Sequence, residues 1–330
     1  MGRPISRFML GLIVLAASSL GAASARADGL PVLGVDVGPV GVVAPSSGRY
    51  VTIPAGRRTV VARVDPDGGR ILGSRLLDGT FTIPAVAYDG SASGLSADGH
   101  TLVLIKPRIR FPRAETELIV LDAERLRPRA LVRLRGDFSY DAVSPRGALL
   151  YLIQYVSPDD PTRYLVRAYD LRAGRLLAKP VVDPYEPGED MRGSPLTRAT
   201  SPDGRWAYTL YDGAGKTPFI HALDTTRITA RCIDLDDVAP GTDLSQLRLH
   251  VGADGNTLTV ANRLEALAVV DTRTFRVGAP AGSHAAQDSP RRDWMSVAPA
   301  IVAMIAAAGA FSFALRRRRQ RLALTTSATG

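Results

Sequence analysis

The stretch Ser201-Pro-Asp-Gly-Arg-Trp-Ala-Tyr-Thr-Leu210 decides the fold of this chain. Its Asp-Gly pair supplies the positive φ that a tight hairpin turn requires, and strand-forming residues follow it. Similar turns surround Gly48, Gly99, Gly147 and Gly255, so that the glycines of the five turns are 51, 48, 57 and 51 residues apart. A turn that returns at this interval indicates a repeat protein with a unit of about fifty residues.

A second landmark follows each turn, an apolar strand that ends in aspartate. The five aspartates are Asp65, Asp122, Asp170, Asp224 and Asp271. Each unit has room for four short strands, in which the glycine turn joins the first strand to the second and the aspartate ends the third. Four-stranded units repeated around an axis form a β-propeller. The sequence therefore predicts an all-β protein, a propeller of about five four-stranded blades. An open stack of β units and a two-sheet sandwich are the alternatives.

Two further segments bear on how the ring closes and on the number of blades. Residues 30–37 have the composition of a strand that closes the ring, and residues 179–195 have room for a degenerate sixth blade. The turns at 45–48 and 144–147 depart from the Asp-Gly pattern, which makes the first and third blades the least regular of the five.

A family resemblance rests on two motifs of the repeat. The turn 201–205, followed by Ala222-Leu-Asp-Thr-Thr226, resembles the repeats of the YVTN and WD40-like β-propellers of bacterial cell surfaces and periplasm. Val269-Val-Asp-Thr-Arg273 repeats the second half of the motif. The resemblance covers about residues 40–278 and implies a propeller fold. Its motifs specify folding units and no chemistry.

Both ends of the chain carry membrane signals. Arg3 and Arg7 precede an apolar stretch that leads to Ala25-Arg-Ala27, which predicts a cleaved signal peptide, with an uncleaved signal anchor as the alternative. Near the other end, residues 294–315 contain no charge and are followed by four arginines. At about 1.5 Å per residue this run is long enough to cross a membrane, and the arginines favour the cytoplasmic side.

These signals predict an order of segments. They are a signal peptide over 1–27, a β-propeller ectodomain over 28–278, a linker over 279–293, a transmembrane helix over 294–315 and a cytoplasmic tail over 316–330. The predicted protein is a single-pass, type I protein of the cell membrane, and its ectodomain lies outside the cytoplasm.

Most of the net charge of +9 comes from the two ends of the chain. Residues 1–27 hold three arginines and residues 316–330 hold five, with no acidic residue in either segment. The remaining 33 basic residues face 32 acidic ones. An almost neutral ectodomain does not favour nucleic acid as a partner. The single cysteine, Cys232, excludes an intramolecular disulfide and is predicted to be a buried structural thiol.

The sequence has no catalytic, metal-binding or cofactor-binding signature. Gly213-Ala-Gly-Lys-Thr217 ends like a phosphate-binding loop, but leucine stands where the first glycine is required, so it is predicted to be a hairpin loop. Gly90-Ser-Ala-Ser-Gly94 has alanine where a nucleophile elbow needs serine. The four histidines have no Cys or carboxylate partners at zinc-binding spacing. We therefore predict no cofactor and no metal.

Two candidate surfaces for a ligand remain. The first is the central channel, where the polar side chains of inner strands converge; its candidates are Asp141, Arg198, Arg248 and His250. Arg248 and His250 alternate with apolar residues and are predicted to lie on one side of a strand. The second is the basic segment 106–113, predicted to be an exposed loop with Arg108 and Arg110 at the channel rim. Ion pairs that fill the channel and a solvated loop are the alternatives.

Two functions are compatible with this reading. The favoured one is a membrane-anchored propeller without catalytic activity that binds or scaffolds a protein, a peptide or an envelope polymer. The alternative is a propeller hydrolase or lactonase with catalytic groups in the central channel, which fold analogy alone supports.

Overall fold

The computed structural model describes residues 41–280, apart from 45–47, 67–68, 189–190, 237 and 239–240. The predicted signal peptide, transmembrane helix and cytoplasmic tail lie outside the described residues, as do nearly all of the linker and the segment 30–37. Within the described part of the chain, no helix has the length and apolar character needed to cross a membrane.

Five consecutive antiparallel sheets make up the described part of the chain. In each sheet the strands pair in the order in which they occur in the sequence. The first sheet contains β1 (Val42–Ala44), β2 (Gly48–Ala55), β3 (Arg58–Val64) and β4 (Ile71–Asp78), and the second contains β5 (Thr101–Ile105), β6 (Glu115–Asp122) and β7 (Arg127–Arg135). The third contains β8 (Phe138–Val143), β9 (Leu149–Tyr155), β10 (Tyr164–Asp170) and β11 (Arg175–Leu176). The fourth contains β12 (Pro195–Thr200), β13 (Trp206–Tyr211), β14 (Phe219–Asp224) and β15 (Thr229–Asp234), and the fifth contains β16 (Arg248–Val251), β17 (Thr257–Ala261), β18 (Ala266–Asp271) and β19 (Val277–Gly278).

The glycine landmark forms the turn between the first and second strands of a unit, as predicted. Gly204 has φ 70°, and its N–H donates to the carbonyl of Ser201 at 2.8 Å. A Cβ at this position would lie 2.4 Å from the Cβ of Ala97, on the connection that leads into the second sheet. Gly204 is therefore required both by its left-handed backbone and by a close approach between two units.

The aspartate landmark caps the turn between the third and fourth strands. Asp224 Oδ1 accepts hydrogen bonds from the backbone N–H groups of Thr226 and Arg227, both at 3.0 Å. Asp271 does the same for the two backbone N–H groups of Arg273 and Thr274. A carboxylate that bonds the backbone two and three residues ahead is an Asx-type turn. Asp122 and Asp170 also accept backbone N–H groups of their turns, so the local geometry of the turn requires four of the five aspartates. Asp65 differs, because its Oδ1 is buried without a hydrogen-bond partner.

Hydrophobic clusters join each sheet to the next along the chain. Tyr151 of the third sheet packs with Leu223 of the fourth, and Leu210 of the fourth packs with Leu258 of the fifth. Comparable clusters join the first sheet to the second and the second to the third. Successive four-stranded sheets that pack face to face fit the blades of a propeller. The prediction of an all-β chain of five repeated sheets is confirmed, and the two-sheet sandwich is wrong.

The second sheet departs from the predicted four strands, because its first strand is replaced by an irregular central segment, residues 81–96. This segment makes only isolated bridges with β5, from Thr82 and Leu95. Between them the chain folds into a small hairpin in which the Val86 N–H donates to the carbonyl of Ser91 at 2.8 Å. The segment is dominated by small residues, including Gly90-Ser-Ala-Ser-Gly94, and these residues do not favour a regular strand.

The central segment contacts the first strands of three other sheets. The N–H of Tyr88 donates to the carbonyl of Pro195 on β12 at 2.9 Å. The hydroxyl oxygens of Ser93 and Tyr140 on β8 are 3.4 Å apart, and an Asp89 carboxylate oxygen lies 3.7 Å from Nε of Arg248 on β16. The central segment therefore lies against strands that the sequence placed around the channel, and an opening of 270 Å³ lined by Ser93 and Arg198 remains beside it.

Candidate functional site

The structure brings together two of the four predicted channel residues. Asp141 on β8 and Arg198 on β12 form an ion pair whose side chains are 4% and 5% exposed. Arg198 Nη1 also donates to the carbonyl of Asp141 at 3.0 Å. The pair joins the first strands of the third and fourth sheets. Because both groups are buried and engaged with each other, they hold two units together and offer little surface to a ligand.

The other two channel candidates lie on β16 and are exposed. Arg248 and His250 flank the buried Leu249, so they share one face of the strand as predicted. The Arg248 side chain is 44% exposed and donates to the carbonyls of Ser245 and Leu247. Neither residue contacts the Asp141–Arg198 pair in any described hydrogen bond or ion pair. The four candidates therefore do not form one site.

The predicted exposure of Arg108 is wrong. Its side chain is 0% exposed, and its Nε and Nη2 donate to Asp137 Oδ1 at 3.0 and 2.6 Å. The guanidinium also stacks over the rings of Phe111 and Tyr155, at 5.7 and 4.8 Å. Cation–π contacts and a buried carboxylate compensate the cost of desolvating the charge. Arg110, two residues away, is exposed as predicted.

A buried histidine lies beside the Asp141–Arg198 pair. His221 on β14 is 3% exposed, and burial lowers its pKa to about 4. Asp141 and Asp183 oppose this effect, whereas Arg198 adds to it. His221 is therefore neutral at neutral pH and packs as a core residue.

An opening with aromatic walls lies elsewhere, between the ends of the fourth and fifth sheets. It is a groove of 590 Å³, referred to below as the turn groove. Its walls are the β12–β13 and β14–β15 turns of the fourth sheet, the β16–β17 and β18–β19 turns of the fifth, and the connection that precedes β12. The groove-lining side chains used below are Tyr185, Asp203, Arg205, Trp206, Asp224, Arg227, Arg231, Asp254, Arg273 and Phe275.

Rings and guanidinium groups alternate along the turn groove. The guanidinium carbon of Arg231 lies 4.0 Å from the ring centre of Tyr185 and 5.8 Å from that of Phe275. Phe275 meets Trp206 edge to face at 5.1 Å, and Arg205 lies 5.0 Å over the Trp206 ring. Tyr185 is exposed and the other four side chains are half-buried. Aromatic and arginine side chains in a concave surface are the residues that most often anchor a bound partner.

Phe275 is held in an unusual backbone conformation. Its φ is 58°, at the turn position that Gly174 occupies in the third sheet. A residue other than glycine pays about 1–2 kcal/mol for a left-handed conformation. The turn tolerates this cost because Asp271 caps it and the Phe275 N–H donates to the Asp271 carbonyl at 2.7 Å. The ring is thereby fixed in the groove wall.

Cys232 differs from the prediction, since it is partly exposed and not buried. Its Sγ lies with carboxylate oxygens of Asp183 and Glu186 in a group of possible metal ligands within 4.8 Å of one another. Asp183 is already engaged, because its two oxygens accept the backbone N–H groups of Tyr185 and Cys232, each at 2.9 Å. The group is therefore explained by the local structure. The loop Gly213–Gly215, by contrast, joins β13 to β14 as predicted.

Sequence reasoning missed the turn groove because its residues come from separate repeats. The only signal in the sequence was that aromatic residues stand beside the landmarks, Trp206 after the glycine turn and Phe275 after the aspartate. Nothing in the sequence placed Tyr185 beside Arg231, since 46 positions separate them.

The chain was compared with protein-family models, with curated protein sequences and with solved structures. No family model matches it, and no curated protein sequence matches it. Among solved structures, a putative TolB from Agrobacterium tumefaciens is 15% identical with a TM-score of 0.42, over 72% of this chain and 78% of that one. BamB from Moraxella catarrhalis is 20% identical with a TM-score of 0.38, over 72% and 62% of the two chains, and the Dos1 propeller is 12% identical with a TM-score of 0.40, over 66% and 52%. At these scores the likeness assigns neither a family nor a function to this chain.

Proposed function

We propose that this protein is a membrane-anchored, extracytoplasmic β-propeller of the YVTN or WD40-like kind that binds a segment of a protein or an envelope polymer. The turn groove is its binding surface. The observation that carries the proposal is the alternation of rings and guanidinium groups along an open groove of 590 Å³. A rigid sheet scaffold that presents turns from neighbouring units is the usual architecture of a binding surface on a repeat protein.

The centre of the molecule supports binding over catalysis. A propeller hydrolase or lactonase needs an accessible polar group at the axis. Asp141 is 3% exposed and paired with Arg198, and the central segment lies across the first strands of the neighbouring sheets. The Asp141 carboxylate is therefore committed to a structural ion pair, and Arg198 lines an opening of 270 Å³ beside the central segment.

Membrane anchoring rests on the sequence. The uncharged run 294–315, the arginines that follow it and the signal peptide 1–27 support a single-pass topology with the propeller outside the cytoplasm. Protease added to intact cells is expected to degrade the propeller and to leave a short membrane stub. Detection of an intact segment around Gly204 until the cells are lysed would contradict the export.

The groove can be tested by site-specific photo-crosslinking in living cells. A photoreactive amino acid at Tyr185, which is 78% exposed in the groove wall, is expected to capture a discrete partner. The matched control is Leu264, which is 93% exposed in the turn at the opposite end of the β17–β18 hairpin. The same captured species at both positions, or none at Tyr185, would remove the turn groove from consideration.

A further inference from the structure

The chemistry of the turn groove indicates what kind of segment it binds. This inference rests on the proposed binding function and adds the identity of the ligand groups. A guanidinium that stacks on a ring keeps its N–H donors in its own plane, directed past the ring. The guanidinium carbon of Arg231 lies 4.0 Å from the centre of the Tyr185 ring, which is a distance typical of such a contact.

Three of the four groove arginines have unused hydrogen-bonding capacity. Nε of Arg231 is buried without a hydrogen-bond partner, and its Nη1 forms an ion pair with Asp183 at 3.6 Å, which is longer than a hydrogen bond. Arg227 and Arg273 are exposed, and neither forms an ion pair within the described residues. Arg205 is the groove arginine that donates hydrogen bonds to a carboxylate among the described residues, since its Nε and Nη2 donate to Asp224 at 3.0 and 2.7 Å.

The acidic residues of the groove are bound to their own turns. Asp224 is 1% exposed and accepts from Arg205 and from the backbone of its turn. Asp203 accepts from the Ser201 hydroxyl at 2.6 Å and from the Arg205 N–H at 3.0 Å, and Asp254 accepts from Asn256. Among the described residues, Arg227 and Arg273 therefore offer guanidinium donors without an ion-pair partner, whereas the carboxylates of the groove already accept hydrogen bonds within the fold.

We propose that the turn groove binds an extended acidic peptide segment of a partner protein, in which carboxylates lie next to an apolar or aromatic side chain. The carboxylates match the forked donors of Arg231, Arg227 and Arg273, which form charge-assisted hydrogen bonds with planar anions. The neighbouring apolar side chain packs against the edge-to-face pair that Phe275 forms with Trp206. Both chemistries are required, since the rings and the guanidinium groups alternate along the same wall.

The test uses the full chain in detergent micelles. The chain has two tryptophans, so Trp294→Phe leaves Trp206, in the groove wall, as the only fluorescent reporter of its kind. The probes are a short acetylated peptide with several glutamates around one phenylalanine, its glutamine counterpart, and inorganic polyphosphate. We expect the glutamate peptide to change Trp206 emission with an affinity that falls as salt rises, and the glutamine peptide to bind about tenfold more weakly or worse.

Variants separate groove chemistry from general charge. Arg231→Gln and Arg273→Gln are each expected to weaken the glutamate peptide about tenfold. Arg263→Gln removes the same charge at the opposite end of the fifth sheet and is expected to leave binding unchanged. Arg231→Lys keeps the charge without the fork and is expected to recover only part of the affinity. Thermal unfolding of each variant confirms that the fold is intact.

Three results would overturn the acidic-peptide assignment. They are equal binding of the glutamate and glutamine peptides, an equal effect of Arg263→Gln, and binding of polyphosphate without binding of the peptide, which would assign the groove to a phosphate-bearing polymer. If the photoreactive residue at Tyr185 still captures a discrete partner, each of these results contradicts only the acidic-peptide assignment and the proposed binding function stands. Loss of that crosslink, not failure of the peptide, contradicts the proposed function.

Discussion

Replacement of Asp137 by asparagine is expected to destabilise the protein strongly. The side chain of Asp137 is 2% exposed and lies on the connection between the second and third sheets. Its Oδ1 accepts two hydrogen bonds from Arg108, and its Oδ2 accepts the Arg113 N–H at 2.9 Å. Nε of Arg113 lies a further 3.3 Å from Oδ1. One carboxylate thus compensates two guanidinium groups.

The size of the effect follows from burial. The Arg108 side chain is 0% exposed and that of Arg113 is 11% exposed, and burial together with the charge of Arg108 lowers the pKa of Arg113 to about 10. Loss of one partner from a buried ion pair costs about 3–5 kcal/mol, because the remaining charge is left desolvated. A typical domain is stable by only about 5–15 kcal/mol, so this change is a large part of the total.

Glu117 provides a matched control in the same sheet. It also pairs with two basic residues, Lys106 at 3.0 Å and Arg133 at 3.2 Å, but these partners are 49% and 61% exposed. Glu117→Gln is expected to cost about 0–1 kcal/mol, as for other ion pairs at the surface. Urea unfolding of the purified protein, followed by circular dichroism, measures both changes. Equal shifts of the two midpoints would refute the reasoning, because burial would then make no difference.

Three further predictions follow from the fold. Gly204→Val is expected to destabilise by more than Gly255→Val, because both have positive φ but only at Gly204 would an added Cβ collide with Ala97; equal shifts in thermal unfolding would contradict this. The folded-state pKa of His221, lowered to about 4 by burial, means that the unfolded chain binds the extra proton, so stability is lost as pH falls from about 6.5 towards 4. His221→Gln is expected to flatten the pH dependence of unfolding in that window, and an unchanged slope would show that the histidine is accessible when folded. Replacement of the four arginines 316–319 by neutral residues is expected to reduce the fraction of molecules whose C-terminal tail lies in the cytoplasm. Protease accessibility in cells measures this fraction.

Local sequence was sufficient for the features that depend on local backbone geometry. The Asp-Gly turn at Gly204 and the capped turn at Asp224 require particular residues within a few positions, so their repetition revealed the unit length and the all-β class. The segments between the turns are short and apolar. This composition predicts that they form strands, but it does not predict which other strands they pack against. The count of five sheets could be read from these landmarks alone.

The tertiary structure alone decided which residues form a site. The sequence around Arg108 is typical of an exposed loop. In the structure its side chain is buried, because it forms an ion pair with Asp137, 29 positions away. The central segment has no periodicity that marks it, and its backbone hydrogen bonds hold it against β12, on the side of the predicted channel. The turn groove combines Tyr185 and Arg231 with Phe275 of the next unit. Such contacts depend on how the units pack against one another. The turn motifs that define the repeat report only local backbone geometry, so they do not predict these contacts.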